Sequence, residues 1–309
     1  MQHDGDLLTD RKRLKRSLVT WRVLAILALV AAAAIFISRS DQSASVGGVG
    51  RDYIALVTVD GIMDDDRKRE ELLEFIRKDR RAKALLVRFN SPGGTAVGGE
   101  ELFVQLKRIG QEKPVVGIMR TVCASACYMA AMGTEHIMAR AGTLTGSIGV
   151  MVQTAEVSEL ANKLGIHPIT IKSGEFKDAP SFTEPMTQDQ RAVVKQVVMN
   201  AYAIFVGIVA EGRKLPEARV RELADGRVYT GLQAMELKLI DSIGGEEEAV
   251  AWLAKTHKIS PDLSIVEKKP EREIDSLLQK LASSASVKIF GKSMVGLDGL
   301  VSIWHPSMH

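Results

Sequence analysis

Only two cysteines and 5% aromatic residues occur in this chain of 309. Two cysteines exclude a disulfide-rich scaffold. The few aromatics, set among many Ala, Gly and Val, point to close packing of small side chains. An excess of one charge is also missing. The net charge is +3, and the first 22 residues, with six Lys/Arg against three Asp, carry all of it. The rest of the chain is balanced and offers no field for phosphates, so no nucleic-acid partner is expected. No tandem repeat of solenoid period and no low-complexity tract is present. What remains is a globular balance, 46% hydrophobic and 26% charged, long enough for one large or two modest domains.

The one long apolar run is Val23 to Ile37, VLAILALVAAAAIFI, which reaches back to Leu18 if Thr20, Trp21 and a snorkelling Arg22 are included. About twenty residues suffice to cross a bilayer as a helix. Basic residues cluster before the run and not after it, so the positive-inside rule puts residues 1–17 in the cytoplasm, a span at 18–38, and the body outside. A cleaved signal peptide gives a similar pattern. Retention is favoured because Ser38-Arg39-Ser40 follows the run, and the small-x-small site Ser43-Ala44-Ser45 is several residues away. The Ser/Gly-rich stretch 39–51 reads as a flexible stalk.

From 52 to 258 apolar strands alternate with amphipathic helices. Tyr53 to Val59, Ala84 to Phe89 and Val115 to Met119 read as strands; Arg67 to Arg80 and Glu100 to Ile109 read as helices between them. This order predicts parallel pairing and an α/β layer. Further on, the pattern predicts a small-residue helix at 124–132, strands near 136–139, 148–152 and 168–172, and a helix at 157–164. A long helix at 187–211 follows, opened by Thr187 with Gln190 three residues on, and its apolar residues exceed what one face needs. Shorter helices are predicted at 218–225, 232–239 and 246–255. After 258 the composition changes, and 259–309 reads as a C-terminal appendage.

Ser125 stands where a strand hands over to a helix, among small residues (Cys123-Ala124-Ser125-Ala126-Cys127). There its backbone N–H can face a bound carbonyl and the helix N-terminus favours developing negative charge. A serine N-cap without chemistry is the plainer reading. Asn90-Ser91-Pro92-Gly93-Gly94 can leave N–H groups open for an oxyanion, or simply turn the chain. Gly142 to Val150 is a second glycine- and hydroxyl-rich stretch, too polar at Thr145 and Ser147 for a plain buried strand. A nucleophilic serine needs a base. His136 and His167 are the histidines of the α/β region; Lys177, in a loop beside Phe176, is the alternative, since a buried lysine can serve as base. Cys123 and Cys127 flank Ser125 without further Cys or His at ligand spacing, so no metal is expected. They read as small buried packers, with a thiol nucleophile as the lesser alternative.

Taken together, Ser91-Pro92-Gly93-Gly94, Ala124-Ser125 with Tyr128, Thr143 to Val150, Lys172-Ser173-Gly174 with Lys177-Asp178, and Gly226 to Gly231 with Ala234 resemble the signal peptide peptidase A family in its short bacterial form. That family lies within the Clp-protease/crotonase superfamily, and the resemblance covers about residues 52–250. It implies an α/β, Clp-protease/crotonase-like ββα-repeat fold behind an N-terminal transmembrane helix. It implies a serine protease with Ser125 as nucleophile, Lys177 as general base, Ser147 orienting the lysine amine, and the N–H groups of Gly94 and Ser125 as oxyanion hole, with no cofactor. The implied substrates are remnant signal peptides and other unfolded membrane-near peptides. The implied assembly is a ring-like homo-oligomer, an octamer, in the bacterial inner (cytoplasmic) membrane with the catalytic domain extracytoplasmic.

The chain departs from the family pattern at Ala126 and Cys127, where two glycines are usual, and at Lys238, often glycine. A crotonase-type acyl-CoA enzyme would share the fold without needing a serine, but its cytosolic substrate conflicts with the predicted topology. A non-catalytic membrane scaffold is the stronger rival.

Overall fold

The computed structural model describes residues 21–22 and 51–270, and the backbone of 301–303. The predicted span at 18–38, apart from Trp21 and Arg22, and nearly all of the stalk lie outside the described residues. The described body is a unit that begins at Asp52.

Its spine is three parallel strands, β1 (Tyr53–Met63), β2 (Ala82–Thr95) and β3 (Val115–Ala124). The crossovers are helices α1 (Arg67–Lys78) and α2 (Ala96–Gly110). The strands read as near-continuous apolar runs because both faces of the sheet are covered. α1 starts where the Asp66 carboxylate accepts from the Lys68 and Arg69 N–H groups, and it turns Leu73 and Ile76 inward. β3 serves two neighbours in turn. Its first half pairs with β4 (His136–Ala139) and its end with β5 (Leu144–Gly146), both parallel.

The remaining strands are short. β6 (Val228–Thr230) lies antiparallel to β5, and β7 (Ser242–Ile243) lies parallel to β4. β8 (Ile265–Glu267) pairs with β1, and β9 (Val301–Ile303) runs antiparallel along Gly93–Thr95 of β2. Both fall beyond 258, in the stretch read as an appendage. The sheet recruits them through backbone bonds, which leave no periodicity in three residues.

The other helices are α3 (Ala126–Ala131), α4 (Ser158–Lys163), α5 (Gln188–Arg213), α6 (Glu217–Leu223), α7 (Gly231–Glu236) and α8 (Glu246–His257). One core joins Phe89, Leu106, Tyr128 and Phe205; on the other face Ala249 and Leu253 of α8 cover Ile54, Leu86 and Val116. Each such large apolar side chain stabilises the fold by about 1.5–3 kcal/mol on burial.

α5 opens with a capping box between Thr187 and Gln190, as the sequence predicts. Only its C-terminal half, with Phe205, Val206, Ile208 and Val209, enters the core; Val193, Val197, Met199 and Ile204 are exposed. By length and composition it is the one helix among the described residues that could cross a membrane, yet its buried half is part of the core. Two predicted strands are displaced. The strand expected at 148–152 forms earlier, at Leu144–Gly146, where it pairs with β3. Residues 168–172 form no strand, and Ile169 and Ile171 are 88% and 95% exposed, so the β-branched run finds no partner among the described residues.

Candidate active site

Strand register brings three separate motifs together. Ser91 of β2 pairs with Cys123 of β3, and just beyond it Gly93 and Gly94 pair with β1 on one side and β9 on the other. Ala124 of β3 pairs with Gly146 of β5, so Ser125 and Ser147 each lie one residue past a shared rung. Ser125 is 1% exposed and Ser147 8% exposed.

Both serines have positive φ, 57° at Ser125 and 48° at Ser147. Ser125, with ψ −122°, lies outside the regions open to most L-residues. Such a conformation costs about 1–3 kcal/mol and persists only where its surroundings impose it. Here the Ser125 N–H donates to the Gly146 carbonyl at 2.8 Å, the Ser125 carbonyl accepts from the Met129 N–H at 2.9 Å, and the Ser147 N–H donates to the Arg227 carbonyl at 2.8 Å. Thr145 Oγ1 donates to the Cys123 carbonyl at 2.7 Å and fixes the two strand ends. Tyr128, wholly buried, donates its hydroxyl to the Leu239 carbonyl at 2.8 Å and anchors α3; burial pushes its phenol pKa up. Ser125 does hold the N-cap position of α3, but its side chain makes no capping bond there.

The bond to Gly146 bears on the expected oxyanion hole. The Ser125 N–H, which the family resemblance implied as one donor, is bonded to the Gly146 carbonyl. Ala126 opens α3, and an N–H in a helix's first turn has no carbonyl within the helix to receive it. Gly94 pairs with Met63 of β1 on one side and Ser302 of β9 on the other. A Cβ built there would lie 1.8 Å from the Met63 carbonyl oxygen, so only glycine allows β2 this close to β1. Gly94→Ala is expected to lower kcat/KM by about 10²-fold or more while the protein still unfolds cooperatively, at a reduced Tm. Peptide hydrolysis measured well below that Tm checks it, and undiminished activity would remove Gly94 from the site.

Cys123 and Cys127 are buried as expected but are not free packers: they form a disulfide across Ser125, with Cα atoms 5.2 Å apart. The sequence reading took the two cysteines as separate small packers. In fact Cys123 is still in β3 and Cys127 is the second residue of α3. A thiol nucleophile is thereby ruled out in this state.

Neither His136 nor His167 is set up as a base for Ser125. His136 Nε2 is 2.9 Å from Ser242 Oγ and its ring stacks on Trp252 at 4.6 Å, and burial lowers its pKa. His167 is exposed between α4 and α5. Lys177 is exposed in that same segment, so one chain alone does not bury it against Ser125. Its loop is nonetheless braced. Lys172 Nζ meets Asp178 Oδ1 at 2.8 Å and also Glu184, and Gln190 of the capping box donates to the Glu175 carbonyl at 2.9 Å. Asp178 and then Glu184 hold the Lys172 ammonium above the usual lysine range, which leaves Lys172 unfit as a base.

Residues 107–260 match peptidase family S49. A provisionally named protease of Synechocystis sp. is 38% identical over 214 residues, covering 69% of this chain and 77% of that protein. The chain belongs to peptidase family S49, the signal peptide peptidase A family. A provisionally named signal peptide peptidase A of Enterococcus faecium is 37% identical over 198 residues, 64% of this chain and 57% of its own length. The chloroplastic serine protease SPPA of Arabidopsis thaliana is 31% identical over 252 residues, 76% of this chain and 37% of its own length. This S49 chain is a serine protease, and the acyl-CoA enzyme and scaffold readings are set aside.

Proposed function

We propose that this S49 peptidase hydrolyses peptides with Ser125 as nucleophile and Lys177 as general base, in a Clp-protease/crotonase-like sheet. The observation that carries the reading is the strained turn at Ser125, over-determined by its neighbours and lying, like Ser147, one residue past the rung that joins β3 to β5. Ser125 Oγ attacks the scissile carbonyl carbon as its proton passes to Lys177 Nζ, and Ser147 orients the amine. The N–H groups of Gly94 and Ala126 receive the oxyanion. Lys177 then protonates the leaving amine, and water hydrolyses the acyl-enzyme with Lys177 as base. A fluorophosphonate probe should label Ser125, as read by peptide mass mapping; labelling elsewhere would refute the assignment.

The base must be covered to lose its water, and in one chain it is exposed. A second copy supplies the cover in this proposal. Leu160, Leu164, Ile166, Ile169 and Ile171 are exposed in the stretch that leads to Lys177, as are Val193, Val197 and Met199 of α5. A ring-like homo-oligomer, an octamer, would bury them and bring Lys177 to a neighbour's Ser125. The proposed setting is the bacterial inner membrane, with the span at 18–38 anchoring an extracytoplasmic domain. The Cys123–Cys127 disulfide supports that side, since such bonds persist in oxidising compartments. Remnant signal peptides and other unfolded membrane-near peptides are the proposed substrates.

An extended substrate would pair along β2 at Gly93–Thr95, the edge that β9 already takes in antiparallel fashion. Peptides must then displace β9. Consecutive N–H groups of a strand point to opposite edges, so proline at both positions in Ser302→Pro/Ile303→Pro removes whichever N–H faces β2. One lost ladder bond is worth about 0.5–1.5 kcal/mol, so KM for short peptides is expected to fall roughly two- to tenfold with kcat unchanged. An unchanged KM would place peptide binding elsewhere.

A further inference from the structure

We propose that the Cys123–Cys127 disulfide is a positioning device for the nucleophile, holding the turn in which Ser125 reaches its acyl acceptor; this rests on the reading of Ser125 as nucleophile. The bond joins two elements, not two turns of one helix. Cys123 belongs to β3 and is paired with Ser91 on one side and Thr145 on the other, so its backbone is fixed by the sheet. Cys127 is the second residue of α3, a helix of six residues. A helix that short has little stability of its own, and this one has no side-chain cap at its start. Between the two sulfurs lies Ser125 at φ 57°, a conformation that relaxes unless both flanks are held.

The sheet holds the first flank; on the second, Tyr128 anchors α3 to the Leu239 carbonyl, and the disulfide adds a direct tie from the start of α3 back to β3. The loop so closed spans only residues 123 to 127. Small loops constrain an unfolded chain least, so the bond acts locally, on the turn, more than on global stability. Ala126, whose N–H is the proposed oxyanion donor, lies inside the same loop. Opening the bond therefore loosens the nucleophile and one of the two N–H donors together, while the peptide-pairing edge of β2 is untouched.

The link is opened chemically by a dithiol. One reductant thiolate attacks a cysteine sulfur, the Cys123–Cys127 bond breaks, and a mixed disulfide forms. The second reductant thiol displaces it and leaves as a cyclic disulfide. Two electrons and two protons end on Cys123 and Cys127 as thiols. Both sulfurs belong to residues that are 0% exposed, so exchange waits on local opening of the turn.

The test compares the full-length oxidised protein with Cys123→Ala/Cys127→Ala and with the wild type after dithiothreitol treatment, thiols being counted by mass spectrometry. The expected result is a kcat, and a fluorophosphonate acylation rate at Ser125, about ten- to a hundredfold lower, with KM for peptide within about twofold. Reoxidation of the treated wild type with oxidised glutathione should restore the rate, which covers the case of a double variant that does not fold. An unchanged kcat, a fall in Tm alone, or free thiols at both positions in fully active enzyme would overturn the proposal. Failure of the probe to label Ser125 even in the oxidised wild type would instead remove the nucleophile assignment on which it rests.

Discussion

Ser125→Ala is expected to abolish peptide hydrolysis, by about 10³-fold or more in kcat, with the fold and assembly intact. The substitution removes one buried oxygen, and every backbone bond that shapes the turn survives it. The Ser125 N–H still reaches the Gly146 carbonyl, and the Ser125 carbonyl still receives the Met129 N–H. The strained φ of 57° persists as well, since alanine bears the same penalty there as serine. Circular dichroism and sedimentation should therefore match wild type while turnover disappears. Wild-type turnover in the purified variant would end the reading of Ser125 as nucleophile.

The second large effect is a recovery. Lys177→Ala and Ser125→Ala protomers, each inactive alone, are expected to regain activity when mixed. Within one chain Ser125 is buried in the turn between β3 and α3, whereas Lys177 is exposed in a segment bordered by uncovered apolar residues such as Ile169 and Ile171. A site completed between copies resolves that separation. In a closed head-to-tail ring of randomly mixed subunits, about a quarter of the junctions pair a wild-type serine with a neighbour's wild-type lysine, so about a quarter of wild-type activity should return. Subunit exchange is verified first by a mass-tagged protomer. Exchange without any return of activity would place serine and lysine within one chain.

Several features were legible before any coordinates. The alternation of apolar runs with amphipathic stretches from Tyr53 to Met119 gave the parallel order of the three spine strands, because period and punctuation there are strong and local. Thr187 and Gln190 announced the start of the long helix through a capping box that depends on residues three apart. Ser125 was legible as a residue between a strand and a helix. The roles given to it and to Lys177 came from ordered motifs rather than from periodicity.

What the sequence by itself determined, then, was the kind and order of elements, since these follow from contacts a few residues apart. Only the tertiary structure decided how they meet. The rung between Ala124 and Gly146 sets Ser147 beside Ser125, and it exists because β3 leaves β4 for β5 partway along its length. The same rung brings up the carbonyl that takes the Ser125 N–H. Cys123 and Cys127 join because the chain changes from strand to helix between them, a change of direction that spacing alone does not encode. Likewise β8 and β9 become strands by finding open edges on β1 and β2. Pairing of that kind is a free energy of two backbones together, and neither short segment carries it alone.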